Sequence, residues 1–258
     1  METLNEEFGS YNCPILSALK GRATQSFRFL LSSVFPKRNM PFSLFESYLS
    51  GIAKHDDYQL FEFALSYTDL STKSNPIDFD ILAEIFFKNH RDYRIPNRLI
   101  ELEANIANIT DGSGYSLASW AAAYGLKEVV IMLVEEAGCD PLHNTDGETP
   151  LSLAVRNNRL DLIKYFVESL KIDVDYTPNP ITKKNVQNPF FWFSNSIPDS
   201  KPLSPLATAV HYGKKESVQL LLELGARVTE QVKDTLSECL ENQCDIKQLI
   251  ESKQMAPE

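Results

Sequence analysis

Long apolar runs are missing from this sequence. The longest fall far short of the ~20 residues that a bilayer-spanning helix needs, so no membrane span is expected. Cysteine is scarce. Cys13, Cys139, Cys239 and Cys244 lie scattered, with no spacing that suggests a disulfide framework or a CxxC zinc motif. Dense Lys/Arg runs are also lacking. The net charge is −10 and the pI about 5.0. Nucleic-acid phosphates need a clustered positive field, so this balance argues against nucleic acid as a main partner. The first residues, METLNEEFGSYN, carry no apolar stretch of signal-peptide type, and the last, ESKQMAPE, hold no prenylation site. These absences together predict an intracellular, cytoplasmic chain with reduced thiols.

Catalytic motifs are lacking as well. There is no G-x-x-x-x-G-K-[ST], no G-x-G-x-x-G after a strand, no H-E-x-x-H and no G-x-S-x-G. TDGSG and TDGET contain Asp-Gly without the rest of a calcium loop, and read as tight turns. Cys139 and His143 lie close in sequence, but Cys139 reads as a packing residue. The expectation is no enzyme, no cofactor and no metal.

What is present is a repeat. GYSLASWAAAYGLKEVVIMLVEEAGCDP starts at Gly114, and GETPLSLAVRNNRLDLIKYFVESLKIDV starts 33 residues later at Gly147. Ser116 matches Thr149, Ala121 matches Ala154, and Val129 matches Leu162. A third copy, SPLATAVHYGKKESVQLLLELGARVTE, opens at Ser204, one period plus 22 residues after Thr149. Each copy has one layout. A Ser or Thr is placed to cap a helix, and in two copies Pro follows at the first helical position. A short Ala-bearing helix, a polar break and a strongly apolar second helix complete it. Neither helix can bury its apolar face alone, whereas stacked pairs share one continuous core.

These copies resemble the ankyrin repeat. The resemblance rests on Thr149-Pro150-Leu151 with Ala154, on Ser204-Pro205-Leu206 with Ala209, Gly213 and Leu220 to Ala226, and on Ala121, Ala122, Gly125, Glu128, Val129 and Val130. Leu117 stands where the family has Pro. Ser119, Ser152 and Ala207 stand where it has a His that ties adjacent loops, which predicts looser loops. Weaker copies are read at residues 13–33, 41–67 and 78–114, and a polar last pair at 233–253. The resemblance implies an all-α solenoid of about seven stacked antiparallel helix pairs with finger loops and degenerate terminal repeats. Residues 111–258 are expected to hold the clear repeats, a finger insertion at 178–201 and a C-terminal capping helix pair. For residues 1–110 two readings stay open: degenerate ankyrin-like pairs, or a separate helical domain.

In function, the resemblance implies a non-enzymatic scaffold or adaptor. It would bind a protein partner through its concave face, with no membrane and no nucleic acid involved. The alternative is an effector of an intracellular bacterium or virus, or an enzyme, delivered into a host cell. Residues 1–110 would then be the distinct functional domain and the repeats its targeting arm. Carried over position by position, the family's contact sites fall on Tyr115, Tyr124, Glu148, Arg156, Asn157, His211 and Tyr212. Tyr and Arg are enriched at interface hot spots. Trp120 is read as core. The insertion brings Phe190, Phe191, Trp192 and Phe193 in a row. With only Lys183 and Lys184 as flanking basic charge, a membrane wedge is the weakest reading of that run. Docking on the protein's own groove and contact with a partner both stay open.

Overall fold

The structure is a computed structural model, and it describes residues 14–55, 57–68, 77–88, 92–102, 106–179, 202–238 and 244–254. The described residues form fourteen helices and no strand, only isolated bridges. They fall into two compact units, Met1–Ile109 and Thr110–Glu258.

The first unit contains three helix pairs: α1 (Pro14–Lys20) with α2 (Thr24–Val34), α3 (Phe42–His55) with α4 (Tyr58–Leu65), and α5 (Phe79–Lys88) with α6 (Arg94–Glu101). First helices pack on first helices, in the order α1, α3, α5, and second helices follow as α2, α4, α6. The spacing of large apolar residues explains the arrangement. In α2, Phe27 and Leu31 lie one turn apart and are fully buried. In α3, Leu44, Phe45, Tyr48, Leu49 and Ile52 make one continuous buried face. Gly51 lets α1 approach closely, since a Cβ there would lie 2.4 Å from Leu19 Cδ2. The break before α4 is a cap: Asp57 Oδ1 accepts from the Leu60 N–H at 2.9 Å.

The second unit contains four pairs. They are α7 (Leu117–Tyr124) with α8 (Lys127–Ile131), α9 (Pro150–Arg156) with α10 (Leu160–Lys164), α11 (Pro205–His211) with α12 (Lys215–Glu223), and α13 (Glu230–Glu238) with α14 (Cys244–Gln254). First helices again stack in order, α7 on α9 on α11 on α13, and α10, α12 and α14 follow outside. The predicted caps form. Ser116 Oγ accepts from the Ser119 N–H at 3.2 Å, and Ser204 Oγ from the Ala207 N–H at 3.3 Å. Thr149 and Ser152 form a reciprocal capping box. Ala207 cannot reciprocate, so Gln231 Oε1 accepts from the Ser204 N–H at 3.0 Å instead. The first helices meet through buried alanines: Ala118, Ala121, Ala122, Ala154, Ala207 and Ala209.

The second helices differ in length in a way the period hides. Thirteen residues separate the left-handed positions that bracket the second helix in the first two copies (Gly125 to Gly138, Asn158 to Lys171), against twelve in the third (Gly213 to Gly225). A π-helical turn absorbs the extra residue, over Met132–Glu136 after α8 and Tyr165–Ser169 after α10. Cys139 N–H then donates to Leu133 O and Ile172 N–H to Phe166 O, six residues back, whereas Ala226 N–H reaches Leu221 O, five back.

The fingers are tied despite the missing family His. His143 Nε2 and Thr145 Oγ1 both donate to Gly114 O at 2.8 Å. Asn144 Nδ2 donates to Asn179 O at 2.8 Å, and Arg227 donates through its backbone N–H (3.0 Å) and Nε (2.7 Å) to Asp175. The expectation of looser loops is corrected: finger residues supply the ties that Ser119, Ser152 and Ala207 cannot.

Candidate partner-binding face

Two tight turns start the face. Asp111 closes the first: its Oδ1 accepts from the N–H groups of Ser113 (2.8 Å) and Tyr115 (2.9 Å). In the second, Thr145 and Glu148 exchange both backbone hydrogen bonds (2.9 and 2.8 Å) around Asp146 and Gly147. Both of these residues have positive φ (52° and 82°), the geometry that Asp-Gly favours in a two-residue turn. These turns set Tyr115 and Glu148, which hold equivalent places in successive repeats, within hydrogen-bond reach. Tyr115 Oη donates to Glu148 Oε2 at 2.8 Å.

From this pair the contacts run both ways. Arg156, on the last turn of α9, donates from Nη1 to Glu148 Oε1 at 2.9 Å. Its guanidinium lies over the Tyr212 ring at 4.8 Å, and His211 meets the same ring edge-on at 4.9 Å. Toward the other side, the Tyr115 ring meets Trp120 at 5.8 Å. Trp120 stacks on Tyr124, one helical turn later, at 5.9 Å. Asp111 Oδ2 holds the Trp120 indole N–H at 2.8 Å. Tyr124 stands 44% exposed, one of two large exposed hydrophobic residues among those described. Burial first, then the neighbouring Glu148 carboxylate, pushes the Tyr115 phenol well above its ordinary range. Burial also raises Tyr212, against the pull of Arg156. Both phenols therefore stay protonated and polar at neutral pH.

The structure thus brings Tyr115, Tyr124, Glu148, Arg156, His211 and Tyr212 into one line of contacts across three repeats. Asn157 is not part of it. That side chain is exposed and donates back to Leu153 O of its own helix at 2.8 Å. Trp120, expected in the core, is half-buried and belongs to the face. Its indole N–H needs an acceptor, and Asp111 supplies it from the turn. Asp111 itself escaped sequence reasoning: TDGSG signalled a turn but not the bond to a tryptophan nine residues on. Phe190, Phe191, Trp192 and Phe193 lie outside the described residues. The described flanks of the insertion rest on the preceding finger: Asn179 O accepts from Asn144, and Pro202 lies so near Gly147 that a Cβ there would sit 3.2 Å from Pro202 Cγ.

Other chemistry-bearing groups have structural partners. Cys139 is buried, which pushes its thiol up to about 11, and the nearby His143 is engaged with Gly114 O. A protonated thiol is a poor nucleophile. In the first unit, a cavity of about 130 Å³ is lined by Arg22, His55 and Asp57 among apolar residues. There His55 Nε2 donates to Leu19 O at 2.7 Å, and Asp57 caps α4. Among the described residues, no group of His, Cys, Asp and Glu is placed to hold a metal ion, and no helix is long and apolar enough to cross a membrane.

Comparison with known proteins agrees with this geometry. Residues 85–178 match the family model of ankyrin repeats, described as three copies. The human ASB11 ankyrin repeat domain superposes with a TM-score of 0.61, covering 96% of this chain and 100% of that one at 17% identity, a likeness of fold. Against curated proteins no sequence match is found. The copy at Ser204 lies beyond the matched residues, yet it repeats the cap, the Ala-lined first helix and the left-handed glycines of its predecessors. Capped helix pairs at a 33-residue period, tied fingers and the family match converge: residues 85–178 hold ankyrin repeats, and the chain shares the fold of an ankyrin repeat domain.

Proposed function

We propose that the chain is a non-enzymatic scaffold that binds a partner protein through the first-helix face of residues 110–258. Ankyrin repeats imply a protein–protein interaction scaffold, and the line from Tyr124 to His211 supports this face as the site. One observation carries the reading: aromatic and charged side chains from three successive repeats hold one another in place while Tyr124 and His211 remain exposed. Pre-ordered side chains lose little entropy on binding. Asn157 offers an exposed amide beside them. The insertion at 178–201, with Phe190, Phe191, Trp192 and Phe193, would shape specificity, since its described flanks rest on the finger beside this face.

The test is affinity capture from a cell lysate with the full chain, comparing wild type with Tyr124→Ser/His211→Ala and with the second-helix control Gln219→Ala. Loss of the same captured protein by the double variant alone, at unchanged melting temperature, is expected. Equal capture by all three overturns the reading. A parallel Phe191→Ala/Trp192→Ala variant tests the insertion. A changed set of captured proteins is expected, and an unchanged set removes the insertion from the site.

A further inference from the structure

The cavity of the first unit lies at the turn between α1 and α2, against the end of α3 and the start of α4. Arg22, His55 and Asp57 line it together with Ala18, Leu19 and Leu60. In the second unit the equivalent turn, between α7 and α8, is closed. Arg22 and Gly125 hold the same left-handed position, with φ of 57° and 81°. The next N–H in each turn donates five residues back, Ala23 to Ala18 O and Leu126 to Ala121 O. Asp57 and Arg159 in turn hold the same place, just before the second helix of the following pair. Arg159 lies across Gly125, where a Cβ would sit 2.7 Å from its Cδ, and its Nε donates to Ala123 O at 3.2 Å. In the first unit the short Asp57 replaces that long side chain, and Arg22 replaces the glycine beneath it. A cavity of about 130 Å³ is left.

Its wall holds unused hydrogen-bonding capacity. His55 Nε2 faces a carbonyl oxygen, Leu19 O, at 2.7 Å, and so carries the proton. Nδ1 of the neutral ring is then an acceptor. It is buried and has no hydrogen-bond partner among the described residues. A buried polar atom left unpaired costs free energy, so the cavity favours an occupant with an N–H or O–H group. Asp57 uses Oδ1 as the cap of α4, and neither it nor Arg22 is ion-paired among the described residues. The remaining lining is apolar. The wall therefore offers an acceptor and a negative charge at His55 and Asp57, a positive charge at Arg22, and a small apolar surface between them.

We propose that this cavity binds a small free amino acid. The ammonium group donates to His55 Nδ1 and answers Asp57, the carboxylate answers Arg22, and a short side chain meets Leu19 and Leu60. Size agrees: a cavity of about 150 Å³ takes up benzene, a molecule of about six heavy atoms, and L-alanine has the same number. The site lies in the first unit and is independent of the partner-binding face of the second.

Nitrogen-15 spectra of the full chain, which read the imidazole directly, test this. Titration with L-alanine should move the His55 Nδ1 signal upfield to saturation, the response of a ring nitrogen that accepts a hydrogen bond. Sodium acetate and methylammonium chloride each supply half of the ligand, and each should bind at least about two- to fivefold more weakly. Arg22→Gln and Asp57→Asn should each weaken L-alanine by a similar factor, the size of one partly exposed ion pair. Asn retains the oxygen that caps α4, so the urea midpoint should hold. Glu168→Gln, an exposed charge change in the second unit, should leave binding unchanged. No saturable shift with L-alanine means that the cavity takes up water alone, and overturns the proposal. Acetate or methylammonium binding as tightly as L-alanine overturns the amino acid as occupant. A shift indifferent to both Arg22→Gln and Asp57→Asn, or weakened equally by Glu168→Gln, overturns the site.

Discussion

The two units solve one packing problem with different side chains. In residues 1–109 the first helices meet through large residues: Phe45, Tyr48 and Ile52 on α3, Leu82, Ile85 and Phe86 on α5. Rings interlock there, Phe27 edge-on to Tyr48 at 5.8 Å and Phe45 tilted on Phe61 at 6.2 Å. In residues 110–258 the first helices bury alanines alongside Leu117, Leu151 and Leu206, and the second helices bury Val130, Leu133, Ile163, Phe166 and Leu221. Helix pairs stack in both units. The architecture therefore needs one apolar face per helix, not a particular residue size on it. Alanine packing with caps leaves a signature that can be read in the residues; packing through large side chains does not.

The contrast can be broken from either side. Phe86→Ala in the first unit should cost about 3–5 kcal/mol, the usual effect of emptying a buried ring site, read as a lower urea midpoint. In the second unit the damaging change is the reverse one. Ala121→Leu should cost about 1–3 kcal/mol by overpacking, while its mirror in the first unit, Leu49→Met, should cost under about 1.5 kcal/mol. If Ala121→Leu is neutral, the close approach of α7 to α9 is not what stabilises the repeats.

A smaller effect isolates the caps. Thr149→Ala should lose about 1 kcal/mol, because it removes the acceptor for the Ser152 N–H and breaks the box. Asp57→Ala, which removes the cap of α4 in the first unit, should cost a similar amount. The comparison sharpens if the two differ by more than twofold in stability units measured by urea titration.

Titration offers a further contrast, because the most buried shifted group is a carboxyl in the first unit and a phenol in the second. In the first unit, burial alone would raise the Glu84 carboxyl, but hydrogen bonds from Lys88 and Ser50, with Lys54 nearby, hold it below its ordinary value. A depressed folded value gives stability that is present above the ordinary carboxylate pKa and is lost as pH falls through the folded value. In the second unit, burial and carboxylate neighbours raise the Tyr115 and Tyr165 phenols, the latter through its bond to Glu135 at 2.8 Å. A raised folded value gives stability that is complete below the ordinary phenol pKa and is lost as pH rises above it. Acid should therefore weaken the first unit, and Glu84→Gln should flatten that response. Alkali should weaken the second, and Tyr165→Phe should flatten that one. Urea midpoints across pH, followed by hydrogen exchange resolved by unit, provide the check.

Much of this was legible in the residues themselves. Ser116, Thr149 and Ser204 announce the helix starts in the second unit because capping is local chemistry, and Pro150 and Pro205 confirm them. His55-Asp56-Asp57 marks the break in the first unit for the same reason: an Asp before an apolar run caps it. Trp120 was misread as core because helical spacing cannot reveal that Asp111, nine residues earlier, turns back to accept its N–H. The π turns were equally hidden, since a strict 33-residue period between the first two copies conceals that both carry an extra residue relative to the third. The finger ties are not legible in the repeat pattern, because the family His lies on the helix, while here His143 and Thr145 supply the bonds from the loop.

By itself, the sequence determined the repeat period, the caps and the position of the insertion. The caps depend on residues within a few positions of one another, and the period and the insertion follow from counting along the chain. Only tertiary structure decided which side chains share a face. Tyr115 and Glu148 are 33 residues apart, and Arg156 and Tyr212 are 56. Their contacts exist because stacking places equivalent turns of successive repeats side by side.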